Sequence, residues 1–385
     1  MDITLVVLTM NRPTRCAETV RQAALATRGL KAEILVVNNG HHSLSMPDRM
    51  EGVPCRVLTM PSNWGAAARN VGWRQARGRA VLMLDDDAII EPGLPEALVQ
   101  GLDTDAGIGA LYFRVHDGQQ EEGCLLPTVF HGCACGFRRD ILERTGGYPR
   151  GFVYYGEEYD LTFRMYRAGL PPRLCEKAPA VYHARDPAGR NTVRIIRYLV
   201  RNNAETWFAH FPLDHAVNAL ADTLRWYHRV SIKERAQAGF RHGCAAIPAA
   251  VLRGLLRRHP LEPAAFQAAT LTGAVSLVAQ EIRAYGLARV AICGVGKFPS
   301  LWLTCLRRAG IMPIAFLDHN AAWQGQTIHG VPIHIIKTDE AWPVFDETCA
   351  WIVGTSSRPD NIRWANELLQ HGMNARTFQV FPRNP

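Results

Sequence analysis

Four runs of near-continuous apolar residues mark the first part of the chain: ITLVVLT (3–9), EILVVN (33–38), CRVLTM (55–60) and AVLMLD (80–85). Strands that are apolar at every position, rather than at every second one, belong in a parallel sheet buried on both faces. Segments of helical character separate them, Thr14 to Thr27 after the first run and Gly65 to Ala76 before the fourth. This alternation predicts an α/β unit over residues 1–188, in which each crossover returns the chain to one sheet. Such sheets bind ligands beyond the carboxyl ends of their strands. Thr9-Met10-Asn11-Arg12, Asn38-Asn39-Gly40 and Asp85-Asp86-Asp87 all stand at those ends.

Two further regions follow. Residues 189–285 read as mostly helical, with Arg190, Arg194, Arg197 and Arg201 at helical spacing and Ile195, Ile196, Tyr198 and Leu199 forming another face. Residues 286–385 restart with a strand, RVAICGVG, then a helix from Ser300 to Ala309 and the strands PIAFLD and CAWIVGT. This is a small Rossmann-like pattern. Gly294 and Gly296 begin a dinucleotide fingerprint, but Pro299 stands at the third glycine position, and Asp318 lies where a ribose-binding acid would be. No tyrosine follows Tyr285, so the Tyr-x-x-x-Lys pair of a short-chain dehydrogenase is absent and hydride transfer is not expected.

Composition narrows the class. With 385 residues, 48% hydrophobic and 20% charged, the chain is long enough for two or three globular domains. No apolar run reaches the ~20 residues of a spanning helix, and the first residues carry no basic leader, which together predict a cytoplasmic protein. The ten cysteines lack paired zinc spacing, so free thiols are expected. The net charge of +8 is local: from Arg190 to Pro260 there are 12 Lys/Arg against 4 Asp/Glu. That excess predicts a helical surface attracted to an anionic membrane or to a phosphate-bearing acceptor.

The chemistry concentrates in the aspartate triplet. Two like charges ~4 Å apart repel by about 4 kcal/mol at an effective dielectric of about 20, so something positive should lie nearby. Carboxylates at a strand end suit Mg²⁺ or Mn²⁺, which keep open positions for a diphosphate. Upstream, NWGAAARNVG permits close backbone approach at Gly65 to Ala68 and offers Arg69-Asn70. Downstream, Gly132 to Gly136 form a small-residue wall. Then YYGEEYDLTFR opens a helix with Glu157, Glu158 and Asp160, and VYHAR places His183 after a short strand.

Taken in this order, these segments resemble the family-2 glycosyltransferases of the GT-A fold, over roughly residues 3 to 210. The resemblance implies a nucleotide-diphospho-sugar transferase sheet domain, followed by the helical and Rossmann-like regions. It implies nucleotide or donor contacts at Thr9, Asn11, Arg12, Asn38 and Arg69, with Asp85 or Asp86 facing the ribose. Asn38 departs from the family, which usually has an aspartate there. Asp87 would take Mn²⁺ or Mg²⁺ with His183, Glu158 would be the base, and Glu157 and Asp160 would border the acceptor and sugar pocket. The implied reaction is inverting transfer of a sugar from a nucleotide-diphosphate donor to an acceptor hydroxyl on a glycan, lipid-linked or small molecule, as in polysaccharide or glycoconjugate assembly. A non-catalytic nucleotide-sugar-binding scaffold is the alternative. Separately, FLDHNAAWQGQTIHGVPI (316–333) is similar to Rossmann-like sugar-nucleotide-associated units found ahead of some sugar acetyltransferases.

Overall fold

The computed structural model describes residues 1–122, 126, 128–184, 191–337, 342–343, 345–346, 348–354, 358–373 and 376–380. The expected boundary at 188/189 and Arg190 lie outside the described residues. The chain divides into two compact units, residues 1–122 with 129–202 and residues 123–128 with 203–385.

In the first unit the four apolar runs form β1 (Ile3–Thr9), β2 (Ala32–Asn38), β4 (Val53–Thr59) and β5 (Ala80–Asp85), with the short β3 (Arg49–Met50) at the edge. The remaining strands are β6 (Ala88–Ile89), β7 (Ala110–Tyr112), β8 (Val115–His116), β9 (Glu121–Glu122), β10 (Ala134–Arg138), β11 (Pro172–Leu174) and β12 (Val181–His183). The main sheet runs β11-β7-β10-β5-β1-β2-β4-β3, and a small second sheet runs β6-β12-β8-β9. β1 is parallel to β2 and β5, whereas β10 is antiparallel to both β5 and β7, so the sheet is mixed.

The helices are α1 (Pro13–Ala26), α2 (Arg69–Gln75), α3 (Leu94–Thr104), α4 (Arg139–Thr145) and α5 (Glu157–Arg167), with a 3-10 turn at Gly65–Ala68. Strand side chains alternate between faces, and both faces are covered. Leu5, Val7, Ile34, Val36, Leu82 and Leu84 pack with Val20 of α1 and Leu98 of α3. Val6, Leu8, Leu35, Val37 and Met83 pack with Trp73 of α2 and Leu161 of α5. Burial on both sides is why the β1, β2 and β5 runs show no polar alternation; β4, expected to be buried likewise, lies beside the edge strand with Arg56 and Thr59 exposed.

α6 (Thr192–His210) begins in the first unit. Two of the arginines at helical spacing have partners there: Arg194 lies over Tyr154 and Tyr198, and Arg201 lies over Tyr198 and donates to the Gly151 carbonyl at 3.0 Å, while Arg197 is exposed.

The second unit contains α7 (Leu213–Lys233), α8 (Gln237–Ala245), α9 (Ile247–Leu256), α10 (Pro263–Thr270) and α11 (Thr272–Ala284). It ends in a sheet of β13 (Arg289–Cys293), β14 (Met312–Asp318), β15 (Thr327–Ile328), β16 (Val331–Ile335), β17 (Cys349–Val353) and β18 (Thr377–Gln379), with α12 (Pro299–Arg308) and α13 (Arg358–Gln370). The sheet order is β15-β16-β14-β13-β17-β18, and β13, β14, β16, β17 and β18 pair in parallel.

The glycine turn after β13 is closed by the chain's own acids. Asp318 accepts from the Val295 amide at 3.0 Å. Asp222, from α7, accepts from the Ser300 amide at 3.0 Å and its hydroxyl at 2.8 Å. The N-terminus of α12, where a phosphate would dock in a nucleotide-binding fold, therefore holds a carboxylate from a neighbouring helix.

Candidate active site

Register brings the three predicted strand ends together. Thr9 pairs with Asn38 across β1 and β2, and Leu8 pairs with Asp85 across β1 and β5. The triplet then splits. Asp85 is partly exposed, whereas Asp86 is fully buried and Asp87 nearly so. Asp86 accepts from the Thr9 hydroxyl at 2.6 Å and lies 2.7 Å from Arg12 Nη2, and its backbone carbonyl accepts from Thr19 at 2.8 Å. Burial pushes its carboxyl up to about 6, against the opposing pull of Arg12 and Thr9. Asp86, grouped with Asp85 as a ribose contact, is thus taken up inside the fold.

The positive groups that hold the triplet are guanidiniums. Arg12 Nη1 donates to Asp87 Oδ2 at 2.8 Å. Arg69 pairs with Asp85, and its burial beside that acid is offset by the fields of Asp85, Glu157 and Glu158. Arg12, expected at the donor, is engaged with both Asp86 and Asp87.

His183 joins the triplet through sheet pairing. β12 runs antiparallel to β6 with His183 opposite Ala88, and the Ala184 amide donates to the Asp87 carbonyl at 2.8 Å. His183 Nε2 is 3.4 Å from Asp87 Oδ1. Asp85, Asp87 and His183 each present a ligand atom, all within 4.8 Å of one another. Two carboxylates and an imidazole form a donor set that a divalent cation can use.

Behind them stands a residue that sequence reasoning passed over. Glu122 Oε2, at the end of the β8–β9 hairpin, lies 3.2 Å from His183 Nδ1 and 3.2 Å from His131 Nε2. A carboxylate at the far nitrogen of a ligand histidine sets its ring orientation and tautomer. Burial works against an imidazolium at His183, but Asp87 and Glu122 outweigh it and lift the group to about 9. A cation bound there would take the place of that proton.

Asparagines shape the nucleotide side of the edge. Asn38 is buried, accepting from the Gly40 amide at 3.2 Å and donating to the His42 carbonyl at 2.9 Å. Its amide is therefore used within its own turn. Asn39, not among the predicted contacts, bridges to the next segment: it accepts from the Trp64 amide at 2.8 Å and donates to Asn63 Oδ1 at 3.0 Å. Asn11 adopts a left-handed φ of 59° and accepts from the His41 amide at 3.1 Å, joining the first two strand ends.

The acidic end of α5 reaches the same place by a close backbone approach. The Ala66 amide donates to the Val153 carbonyl at 2.8 Å, and a Cβ at Gly65 would fall 1.6 Å from that oxygen. Only glycine permits this, and it carries Arg69 to the residues that open α5. Glu157 is buried, with its carboxyl pushed well up by burial and by Glu158. Glu158 is partly exposed and accepts from the Gly156 amide at 3.2 Å. Burial raises its carboxyl too, against His131 and Arg69. Its Oε1 lies where a Cβ at Gly132 would come to 2.4 Å, so the small-residue wall leaves room for it. Asp160, expected at the pocket, is fully buried and ion-paired at 2.7 Å with Arg164, which also donates to the Gly147 carbonyl at 2.6 Å. That acid ties α5 to the end of α4.

Residues 4–123 match the model of Glycosyl transferase family 2. An uncharacterized glycosyltransferase of Bacillus subtilis (strain 168), YwdF, is 29% identical over 106 residues, which is 27% of this chain and 39% of that protein. The chain thus matches well under half of that relative's length. Among solved structures, the mannosyltransferase PcManGT from Pyrobaculum calidifontis, in complex with GDP-Man and Mn²⁺, is 18% identical with a TM-score of 0.44, covering 80% of this chain and 86% of that one. S. aureus TarS 1–349 in complex with UDP-GlcNAc is 15% identical with a TM-score of 0.49, covering 85% and 93%.

Proposed function

Starting from residues 4–123 as a family 2 glycosyl transferase domain, we propose that the chain moves a sugar from a nucleotide-diphosphate donor to an acceptor hydroxyl, with inversion at the anomeric carbon. One observation carries the reading. Asp85 belongs both to the group with Asp87 and His183 and to the ion pair with Arg69, whose guanidinium also feels Glu157 and Glu158. Groups suited to a leaving diphosphate and a group suited to a proton thus share one strand edge.

Asp85, Asp87 and His183 would hold Mn²⁺ or Mg²⁺, which when bound supplies positive charge against the departing diphosphate. Glu122 would keep the His183 ring turned toward that position. Arg12 and Arg69 fix the carboxylates in place through their ion pairs. Glu158 takes the proton from the acceptor hydroxyl as its oxygen attacks the anomeric carbon, and the bond to the diphosphate breaks with its electrons leaving on the diphosphate oxygen. A single displacement of this kind inverts the centre. Gly132 and Tyr155-Gly156, the latter pair at φ 68° and 86°, would set where the carboxylate stands.

The test is thermal stability with UDP, dTDP, GDP and CDP, each with and without Mn²⁺, in the native chain and in Asp87→Ala. Ligand at ~100 times its dissociation constant stabilises by about 2.7 kcal/mol. A shift with one nucleotide that needs the cation and disappears in Asp87→Ala is the expected result. A shift indifferent to both would move binding away from this edge.

A further inference from the structure

The helical part of the second unit carries a surface that the transferase reading does not use. α9 exposes Leu252 (57%), Leu255 (41%) and Leu256 (79%), and Ala245, Pro248 and Ala249 are exposed just before them. At this spacing the residues form one stripe along a helix. Single exposed leucines are ordinary, but a contiguous apolar stripe is not.

The stripe cannot turn inward. On the opposite side of α9, a Cβ at Gly254 would lie 2.5 Å from the Glu205 carbonyl, so this helix rests backbone to backbone on α6. Arg253 and Arg257 grip the Glu205 carboxylate from Nε at 2.8 and 3.1 Å. Arg258 donates to the Phe208 and Phe211 carbonyls at 2.6 and 2.8 Å. Five contacts from four residues at and just after the end of α9 therefore fix its rotation with its leucines facing out.

Charge selects what could cover them. From Lys233 to Leu261 the chain has 6 Lys/Arg and a single acid, Glu234. Arg241 and His242 are exposed on α8, and the two guanidiniums on Glu205 exceed its charge by one. A second copy docking here through the same face would bring these cations against each other. A surface of negative headgroups over an apolar layer complements both features at once. Among the described residues no helix is long and apolar enough to cross a membrane, so the contact would be a helix lying on the bilayer.

We propose that the α8–α9 face docks on an anionic lipid surface, with Leu252, Leu255 and Leu256 entering the headgroup boundary and the exposed Arg241 of α8 adding its attraction to lipid phosphates. This does not depend on the transferase reading, and the nucleotide-induced stabilisation above serves as a separate readout of it. The experiment sediments the full chain with phosphatidylcholine vesicles, with and without phosphatidylglycerol, at low and high salt. The variant is Leu252→Asp with Leu256→Asp. Both side chains are solvent-facing, so its melting temperature and nucleotide response should match the native chain. Expected are binding to the anionic vesicles at low salt, release by high salt, and partitioning about tenfold or more weaker in the double variant. Three results would each overturn the proposal: no sedimentation of the native chain at low salt, undiminished binding by the double variant, or a concentration-dependent dimer that the variant abolishes.

Discussion

The two sheets of this protein present the same kind of edge and treat it in opposite ways. In the first unit, β1, β2 and β5 end in polar residues, and Asp85, Asp87 and His183 converge there with an ion-sized spacing. In the second, β13 ends in a glycine turn before α12, and the chain fills that turn itself with Asp222 and Asp318. Parallel topology supplies an anion-friendly edge in both cases. What differs is what each edge leaves over: in the second unit Asp222 and Asp318 take up the turn's amides, whereas in the first Arg12 and Arg69 hold the acids and still leave ligand atoms of Asp85, Asp87 and His183 within 4.8 Å of one another. Strand order alone therefore does not identify a site, and the hydrogen-bond inventory at the edge decides.

Experiments can break or sharpen this contrast. The largest effect should come from Glu158→Gln, which keeps the shape of the group but removes its ability to take a proton. Turnover should fall by roughly 10²–10⁴-fold, with nucleotide binding retained. A chain that only binds nucleotide sugars would show no turnover to lose. Because burial raises the Glu158 carboxyl above its ordinary 4.5, the proposed base is ionised only above that raised value. Activity should thus fall on the acid side at a higher pH than a free glutamate would give, and this limb should vanish in Glu158→Gln.

A smaller effect is expected at Glu122. Replacing it with glutamine weakens the hold on His183 Nδ1, and Mn²⁺ affinity, followed by electron paramagnetic resonance, should drop by about 10–100-fold. Unchanged affinity would leave Glu122 as a partner of His131 alone. The smallest effect tests the other edge. Asp222→Ala leaves the buried Ser300 amide without its acceptor and its hydroxyl with His329 Nε2 at 2.7 Å as the remaining partner, at a cost of about 1–3 kcal/mol, read as a lower denaturation midpoint. The nucleotide response should not change. If the variant gained a nucleotide response independent of Asp87, the second edge would be a plugged site rather than a structural joint.

Much of this was legible in the residues, and the rest was hidden for identifiable reasons. The apolar runs predict β1, β2 and β5 because strands buried on both faces admit no polar alternation, and they predict β4 although only Cys55 within it is buried. The triplet stands out because three acids at a strand end need counter-charges. Its division was harder to read. Residues near a strand end tend to alternate sides, which separates Asp86 from Asp85 and Asp87, yet β5 stops at Asp85 and a turn follows. Asp160 has a local explanation in its i,i+4 partner Arg164, and that pairing outweighs a place in the pocket. Glu122 gave no signal, because its contact with His183 spans 61 residues and its short hairpin of polar residues reads as loop. Arg194 and Arg201 looked like a free basic stripe, since stacking on tyrosines leaves no mark in helical spacing.

Gly132 has a practical consequence. The nearest atom to a methyl group placed there is the tip of the Glu158 side chain, a flexible end rather than backbone. A Gly132→Ala chain can therefore keep its fold and yield by swinging that carboxylate aside. The proposed proton acceptor would be displaced with its charge and chemistry intact, which makes position 132 a mechanical adjustment screw for the proposed reaction, and a place where an engineer could tune rate or acceptor choice without editing any group proposed to react.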